Sequence, residues 1–547
     1  MNLKPNTHSF LVQIWLLCLL GLWLSPSEAI SQQPTPLRND ITVTQLNNSP
    51  ANPVRMVKHP VTGEIYILNE SGGIYLLNTA TGSYVPKISP NRHGLSQTYG
   101  LEIGMSGNFY VVAAEQSGGF NTGKIAKGVP DGTGGYTWSI LAETEPYRSS
   151  GNRDHQFNAI IESLDGKYVY VNSGSRTDHA EEANNDGLRE MPITSCILKI
   201  PTDTVDLILQ NDESFLESNG FIYADGIRNT FDMAYAPDGH LFGVENCDTR
   251  DNEEELNWLR EGKHYGFPWR IGTQMNPQQY PNFNPPGSDN LLVQGINMES
   301  TFYNDPTFPS IPAGLTFVDP VLNMGPDADV FRDSVDGVIK DASDLGRSIG
   351  TFTPHSSPVA LVFDTDNQLG APYTGLGFAM SYNGSFRRKY TPFGDPGEDL
   401  LMLELTLDPA DSTYSAQITR IVEGFEGPID NVLVGNDMYV IDYDGGNMWK
   451  LTFPSNGAQG LPSTTSALGP MIKVFPNPAT DQISLEARMD NVLINSALIL
   501  NGQGQELGYL INSGNEIYTG DIEQLPVGVY YIQVKTNRGT VLKKFVK

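Results

Sequence analysis

Three short runs gather side chains that can move protons or hold ions. Arg153-Asp154-His155-Gln156-Phe157-Asn158 sets a histidine beside a carboxylate and an amide. A neutral imidazole accepts a proton near neutral pH, and the same ring serves equally well as a hydrogen-bonded structural group. In Asp225-Gly226-Ile227-Arg228-Asn229 an arginine stands among small and amide residues, where its planar fork can meet a ligand anion or brace a neighbouring strand. The third run is Glu245-Asn246-Cys247-Asp248-Thr249-Arg250-Asp251-Asn252-Glu253-Glu254-Glu255-Leu256-Asn257, followed by Gly262-Lys263-His264-Tyr265-Gly266-Phe267-Pro268. Its six carboxylates, with Arg250 as their one basic companion, suit a hard oxygen-seeking cation such as Ca2+ or else form the solvated face of an acidic helix.

The chain around these runs repeats. An apolar strand, a turn of Asp, Asn and Gly, and a strand rich in aromatics and Val recur six times, at 57–66, 104–110, 163–170, 236–242, 363–369 and 434–440. Gly or Asn in such turns supplies the positive φ that a tight hairpin needs. Six hairpins in radial order protect their sheet edges and open a channel on which loops from every repeat converge. The pattern therefore predicts an all-β fold, a six-bladed β-propeller over residues 30–455. His155 lies just before the third repeat, and Arg228 and Asn229 just before the fourth. A Pro- and Asn-rich stretch, 275–312, breaks the spacing between the fourth and fifth repeats and is expected to cap or line the channel mouth.

Charge separates the chain into parts. The 547 residues carry 63 Asp and Glu against 34 Lys and Arg, a net charge of -29. Such a surface repels phosphate backbones and anionic lipid, which argues against nucleic-acid and membrane-surface roles and leaves small neutral ligands and divalent cations. Residues 30–470 hold 26 basic and 55 acidic side chains, whereas 471–547 hold seven of each, so the excess sits wholly on the central region. Between them, 456–470 is mostly Gly, Ser, Thr and Pro without charge or aromatics, which is linker chemistry. Beyond it, short runs alternating apolar and polar residues predict a small C-terminal β-sandwich over 471–547.

At the other terminus, an apolar run from Phe10 to Leu24 behind Lys4, with small residues up to Ala29, reads as a secretory signal peptide over 1–29. No other stretch approaches the roughly 18 apolar residues a transmembrane helix requires, so no transmembrane segment is expected in the mature chain. Loss of the peptide removes Cys18 and leaves Cys196 and Cys247, either as one bridge or as two separate thiols.

Two resemblances follow from particular motifs. Val474-Phe475-Pro476-Asn477-Pro478-Ala479, then Leu525-Pro526-Val527-Gly528-Val529-Tyr530-Tyr531 and a Lys-rich last strand, resemble the C-terminal sorting domain of type IX secretion cargo. That implies export by the type IX secretion machinery to the cell surface or medium. Asp154-His155, Gly226-Ile227-Arg228-Asn229, Glu254-Glu255-Leu256-Asn257, His264-Tyr265-Gly266-Phe267-Pro268 and Ser381-Tyr382-Asn383-Gly384-Ser385-Phe386-Arg387-Arg388, in that order, resemble the soluble glucose/sorbosone dehydrogenase family. These are six-bladed propellers that oxidise sugars with pyrroloquinoline quinone (PQQ) and Ca2+.

This second resemblance implies a mechanism and a site. His155 would be the general base on a sugar's anomeric hydroxyl, and Arg228 would stabilise charge developing on the reduced cofactor. Gln97, Asp154, Asn229, Arg387 and Arg388 would line the cofactor and substrate pocket. Backbone carbonyls of Cys247 and Asp248 would hold the cofactor's Ca2+, with Glu254, Glu255 and Tyr265 at positions of a structural Ca2+. A sugar substrate and an electron acceptor outside the chain complete the expectation. The sequence departs from the family in three places: the loop before the last blade, Glu426-Gly427-Pro428-Ile429-Asp430, has no arginine, the acidic loop is longer than the family form, and Ile227 replaces a histidine. Two other functions fit a propeller, namely a non-catalytic domain binding carbohydrate or protein and a Ca2+-dependent lactonase-type hydrolase.

Overall fold

The structure, a computed structural model, describes residues 33–149, 155–182, 186–280, 289–291, 305–382, 393–395, 397–456, 471–488, 492, 494–501, 506–512, 517–536 and 539–547. Strands dominate it. Six sheets stand around one axis, each beginning with an innermost strand: Pro53–Lys58, Thr98–Ile103, Phe157–Glu162, Thr230–Tyr235, Pro358–Phe363 and Pro428–Val434. Each innermost strand lies against the next, and the last lies against the first, so the ring closes. The six repeats seen in the sequence are the turns leaving these strands.

The inner strands form because short apolar runs have no wet face to satisfy. Ile65, Ile67 and Leu68 in blade 1 and Phe109 to Ala114 in blade 2 are completely buried, as expected of strands covered on both sides by neighbouring blades. Outer strands such as Asp399–Asp408 turn polar and exposed toward their ends. Closure uses both ends of the region: Thr42–Asn48 completes blade 6 beside Asn447–Thr452, and Thr35–Pro36 pairs with Thr413–Glu423 in blade 5. Joining early and late strands in common sheets leaves no free seam between first and last blade.

Two details differ from the sequence reading. The acidic run contains no helix: it is a loop that ends in the strand Glu255–Leu259, the third strand of blade 4. Its carboxylates are buried rather than solvated. The turn of blade 5 is not a tight hairpin, since 364–376 separates its strands. There Asp364 organises the longer turn by accepting hydrogen bonds from the backbone N–H groups of Gln368, Leu369 and Gly375.

After the propeller a seven-stranded sheet, from Ile472–Phe475 to Gly539–Val546, forms the C-terminal β-domain. Ile483 and Leu485 from one half share a core with Ile499, Ile532 and Phe545 from the other, which makes it sandwich-like. Among the described residues no helix is long and apolar enough to cross a membrane. Cys196 and Cys247 are both buried free thiols and do not pair. The expected signal peptide, 1–29, lies outside the described residues.

Candidate active site

The innermost strands have two unlike ends. At one end the turns leave for the second strand of each blade; at the other, the loop end, lie the segments that enter each blade and the connections from second to third strand. His155 and Arg228 both stand at the loop end, immediately before the inner strands of blades 3 and 4. They are brought together by the segment after Tyr168–Ser173. Gly174 makes this approach feasible: a Cβ there would lie 2.4 Å from the His155 carbonyl oxygen, closer than any side chain tolerates. His155 N–H then donates to Ser175 O at 2.8 Å, and Ser175 N–H donates to Arg228 O at 2.6 Å.

The same serine sets the state of the imidazole. Ser175 Oγ–H donates to Thr177 O at 2.7 Å, which uses its one proton. Its oxygen lies 2.9 Å from His155 Nδ1 and must therefore accept there. Nδ1 carries the hydrogen, and Nε2 is left with a lone pair. Burial, and then the positive Arg228, lower the His155 pKa to about 3. The ring is thus neutral and basic at Nε2 throughout the physiological range.

Arg228 is fixed by a hub that the sequence did not reveal. Its Nε donates to Asp178 O at 2.7 Å, Nη2 to Asp178 Oδ1 at 2.8 Å, and Nη1 to Asn246 O at 2.8 Å. Three of five guanidinium N–H groups are spent, which leaves two for a ligand anion. Asp178 Oδ2 also accepts from His179 Nδ1 at 2.8 Å and from Thr249 Oγ1 at 2.7 Å. Burial pushes the Asp178 carboxyl up, but the His179 hydrogen bond and the two cations outweigh it and hold it well below the usual carboxylate range. For His179, burial opposes the charge, but Glu181 and Asp178 outweigh it and raise its pKa. The signal available for this hub was a second adjacent Asp-His pair, Asp178-His179, just past a strand.

Asn229 belongs to a relay of amides crossing three blades. Asn172 Nδ2 donates to Asn158 Oδ1 at 2.8 Å, Asn158 Nδ2 to Asn229 Oδ1 at 2.8 Å, Asn229 Nδ2 to Asn246 Oδ1 at 3.3 Å, and Asn246 Nδ2 to Pro358 O at 2.8 Å. Linked polar chains of this kind define one arrangement of the groups they join. Ile227, where the family has histidine, is completely buried in the apolar cluster between blades 3 and 4. It serves packing there, beside Gly226, whose φ of 71° keeps it glycine and whose missing Cβ makes room for His264.

The acidic run supplies a concentration of buried carboxylates. Glu245, Asp248, Glu254 and Glu255 are all buried, and Glu245 pairs directly opposite Glu255 across adjacent strands. Burial, with like charge nearby, raises Asp248 to about 7 and drives Glu255 well above its ordinary value. Asp248 Oδ1 accepts from Asn252 Nδ2 at 2.8 Å, whereas Oδ2 is buried with no partner among the described residues. An orphaned anionic oxygen next to a second carboxylate fits a hard cation held by oxygen ligands.

The expected structural Ca2+ position is less concentrated. Glu254 accepts from the Cys247 and Ser357 backbone N–H groups, and Glu255 accepts from Asn257 Nδ2. Tyr265 Oη donates to Trp258 O at 2.6 Å and accepts from Arg260 N–H, so its hydroxyl is engaged elsewhere. Among the described residues no three His, Cys, Asp or Glu side chains converge as a ready metal centre; backbone carbonyls would have to supply part of any such shell.

Gln97 stands exposed before the inner strand of blade 2, with φ of 55° and its side-chain oxygen accepting from Gln116 N–H. It shares the loop end with His155. Asp154, Arg387 and Arg388 lie outside the described residues. The described ends of 275–312 do reach this face: Asn276 and Gln278 donate to His179 O, and Asp289 pairs with Arg250 at 2.8 Å.

Residues 102–295 match the family described as Glucose / Sorbosone dehydrogenase. The chain carries a Glucose / Sorbosone dehydrogenase domain. This domain contains His155, Asp178, Arg228 and the acidic run. Residues 473–547 match the Secretion system C-terminal sorting domain, which marks the chain for export to the surface or medium. No curated protein matches the sequence. Among solved structures, the chain is similar to the holo pyranose dehydrogenase PQQ domain from Coprinopsis cinerea (13% identity, 77% of this chain and 97% of that one, TM-score 0.44). It is also similar to the PQQ-bound aldose sugar dehydrogenase from Streptomyces coelicolor (13%, 76% and 99%, 0.43). A third is the apo soluble aldose sugar dehydrogenase from Escherichia coli (14%, 75% and 99%, 0.45).

Proposed function

We propose that the Glucose / Sorbosone dehydrogenase domain oxidises the anomeric carbon of a sugar, with His155 as general base and with PQQ and Ca2+ as cofactors. The observation that carries this is the tautomer of His155. Ser175 spends its proton on Thr177 and so keeps Nδ1 protonated and Nε2 free to accept. Nε2 would take the proton of the anomeric hydroxyl as the C1 hydrogen leaves with its electron pair, and the sugar becomes the lactone. PQQ, when bound, supplies the two-electron acceptor for that hydride. Arg228, locked by Asp178, offers its two remaining N–H groups to an anionic oxygen beside His155, a fixed cation that need not reorganise as charge develops. Asp248 Oδ2 and carbonyls of the Cys247-Asp248 turn would hold Ca2+.

The remaining assignments follow the same reading. Residues 1–29 would be the export signal, 30–455 the dehydrogenase propeller, 456–470 the linker and 471–547 the address read by the type IX secretion machinery. Gln97, Asp154, Asn229, Arg387 and Arg388 would complete the pocket, with Glu254, Glu255 and Tyr265 around a second Ca2+. Reduced cofactor would pass its electrons to an acceptor outside the chain.

Purified protein titrated with PQQ, with and without Ca2+, tests the proposal when thermal stability is followed first and aldose-dependent dye reduction second. Saturable, Ca2+-dependent stabilisation with turnover is expected. Failure to bind PQQ at high micromolar concentration would turn attention to the missing last-blade arginines and to a propeller that only binds carbohydrate or protein.

A further inference from the structure

The turn end of the channel is covered by the chain itself. The C-terminal ends of all six innermost strands surround a cavity of about 280 Å3, with Met471 among its walls. Met471 directly precedes the first strand of the sorting domain and is buried with Met105, from the turn of blade 2, in that domain's core. An apolar side chain of the sorting domain therefore stands in the mouth of the propeller.

Two cations flank it. Arg488, whose N–H donates to Met471 O at 2.8 Å, lays its guanidinium on the turn of blade 4. A Cβ at Gly239 would lie 2.1 Å from Arg488 Nη1, so in this pose the guanidinium rests directly on the glycine backbone. Burial, and then the like charge of Arg488, lower Lys543 in the last strand to about 8, while Asp366 and Asp238 act in the opposite direction and favour its charge. Asp238 and Asp366 are turn residues of blades 4 and 5. The placement matches the division of charge along the sequence, where the propeller region holds the whole negative excess and the tail holds equal numbers of both signs.

We infer that the turn end of the propeller is the docking surface for the chain's own sorting domain, seated by Met471 and held by Arg488 and Lys543 against acidic turns. Tethering makes this practicable. A short connection such as 457–470 gives an effective concentration in the millimolar range, so even a contact of tens of micromolar keeps the domain docked while the chain is intact. The loop end, with His155 and Arg228, lies at the opposite ends of the same strands. The sorting domain thus travels as a defined part of the folded cargo rather than as a loose tag, and the inference holds whatever reaction the loop end performs.

Hydrogen exchange on the full chain tests it, read at the turn amides 238–240 and 364–368 with 155–161 as an internal control. Lys543→Glu should speed exchange at both turns by tenfold or more, and 1 M NaCl, where charges are screened beyond about 3 Å, should act in the same direction. Asp366→Lys should do the same alone. Because either change could disturb its own domain, the deciding measurement is the double variant, in which the pair is exchanged; protection should return to within about threefold of wild type. Docking as proposed is overturned if Lys543→Glu leaves both turns unchanged, or if the exchanged pair restores nothing.

Discussion

The two ends of the propeller's inner strands are built from the same six strands and yet hold unlike chemistry. At the turn end the connections are mostly short, polar and alike, and the cavity between them is closed by a methionine. At the loop end the connections between the second and third strands of blades 3 and 4 are long and bury Asp178, His179, Asp248 and Glu254, with Arg228 buried and His155 half-buried beside them. Arg55 divides the two: it rises from the inner strand of blade 1 and donates across the axis to Phe231 O in blade 4, the opposite blade. Buried Asp232 and Asp430 lie beside it: burial, and then the charge of Asp232, push Asp430 up to about 8 against the pull of Arg55. The difference teaches that radial repetition builds a stage of equivalent positions, and that chemistry is installed where loops depart from the repeat.

The sharpest way to break this comparison is to remove the base. His155→Ala should lower sugar-dependent turnover by about 10²- to 10⁴-fold, the usual worth of a general base, while leaving the unfolding free energy within about 1 kcal/mol of wild type. Dye-reduction kinetics beside urea denaturation would check both halves. Asp178→Ala should act on fold and function together. It removes the carboxylate that pairs with Arg228 in the interior and one of the two carboxylates beside His179, for which about 3–5 kcal/mol of destabilisation is expected, visible as a lower urea midpoint at constant slope. A variant as stable as wild type would mean that the Asp178 hub does not hold the loop end together.

Acid sensitivity belongs to the same end. The folded pKa of His155, about 3, lies below the ordinary histidine value, so the unfolded chain binds this proton more readily. Above pH 6.5 the group imposes no cost; as pH falls from 6.5 toward 3 the unfolded state gains the proton and stability is lost. His155→Gln should flatten the fall in melting temperature over that window. Turnover should show no acid limb from His155 between pH 5 and 8. Ser175→Ala has a smaller expected effect, a roughly tenfold drop in kcat at unchanged KM. Its distinguishing mark is the 15N shift of His155, which should report a mixture of tautomers in place of one.

How much of this was legible depended on which end a residue serves. The turns announced themselves through Asp, Asn and Gly at each repeat, because a tight reversal restricts φ to few residue types. His155, Arg228 and Asn229 were legible as a proton acceptor, a cation and an amide in order. Asp178, Ser175 and Thr249 were not, since a buried ion pair leaves no periodicity and its partners stand 50 to 71 positions apart along the chain. The acidic run misled for a related reason. Its carboxylates look like a solvated surface in sequence, and only the pairing of Glu245 with Glu255 between adjacent strands shows them turned inward. Ile227 was read as a missing histidine, when the structure uses it as core.

The smallest expected effect is the most telling about the divide. Met471→Ala removes the stopper at the turn end, and since Met471 already borders an empty cavity it has fewer contacts to lose than an enclosed core methionine. A cost near the low end for such truncations, about 2 kcal/mol, is expected, confined to the sorting domain and its contact with the propeller. If Arg55 with Asp232 and Asp430 separates the two ends, turnover per folded molecule should stay within about twofold of wild type. Should turnover fall with the loop end intact by the His155 15N signature, the ends communicate through the channel, and the buried charges around Arg55 would be a coupling element rather than a partition.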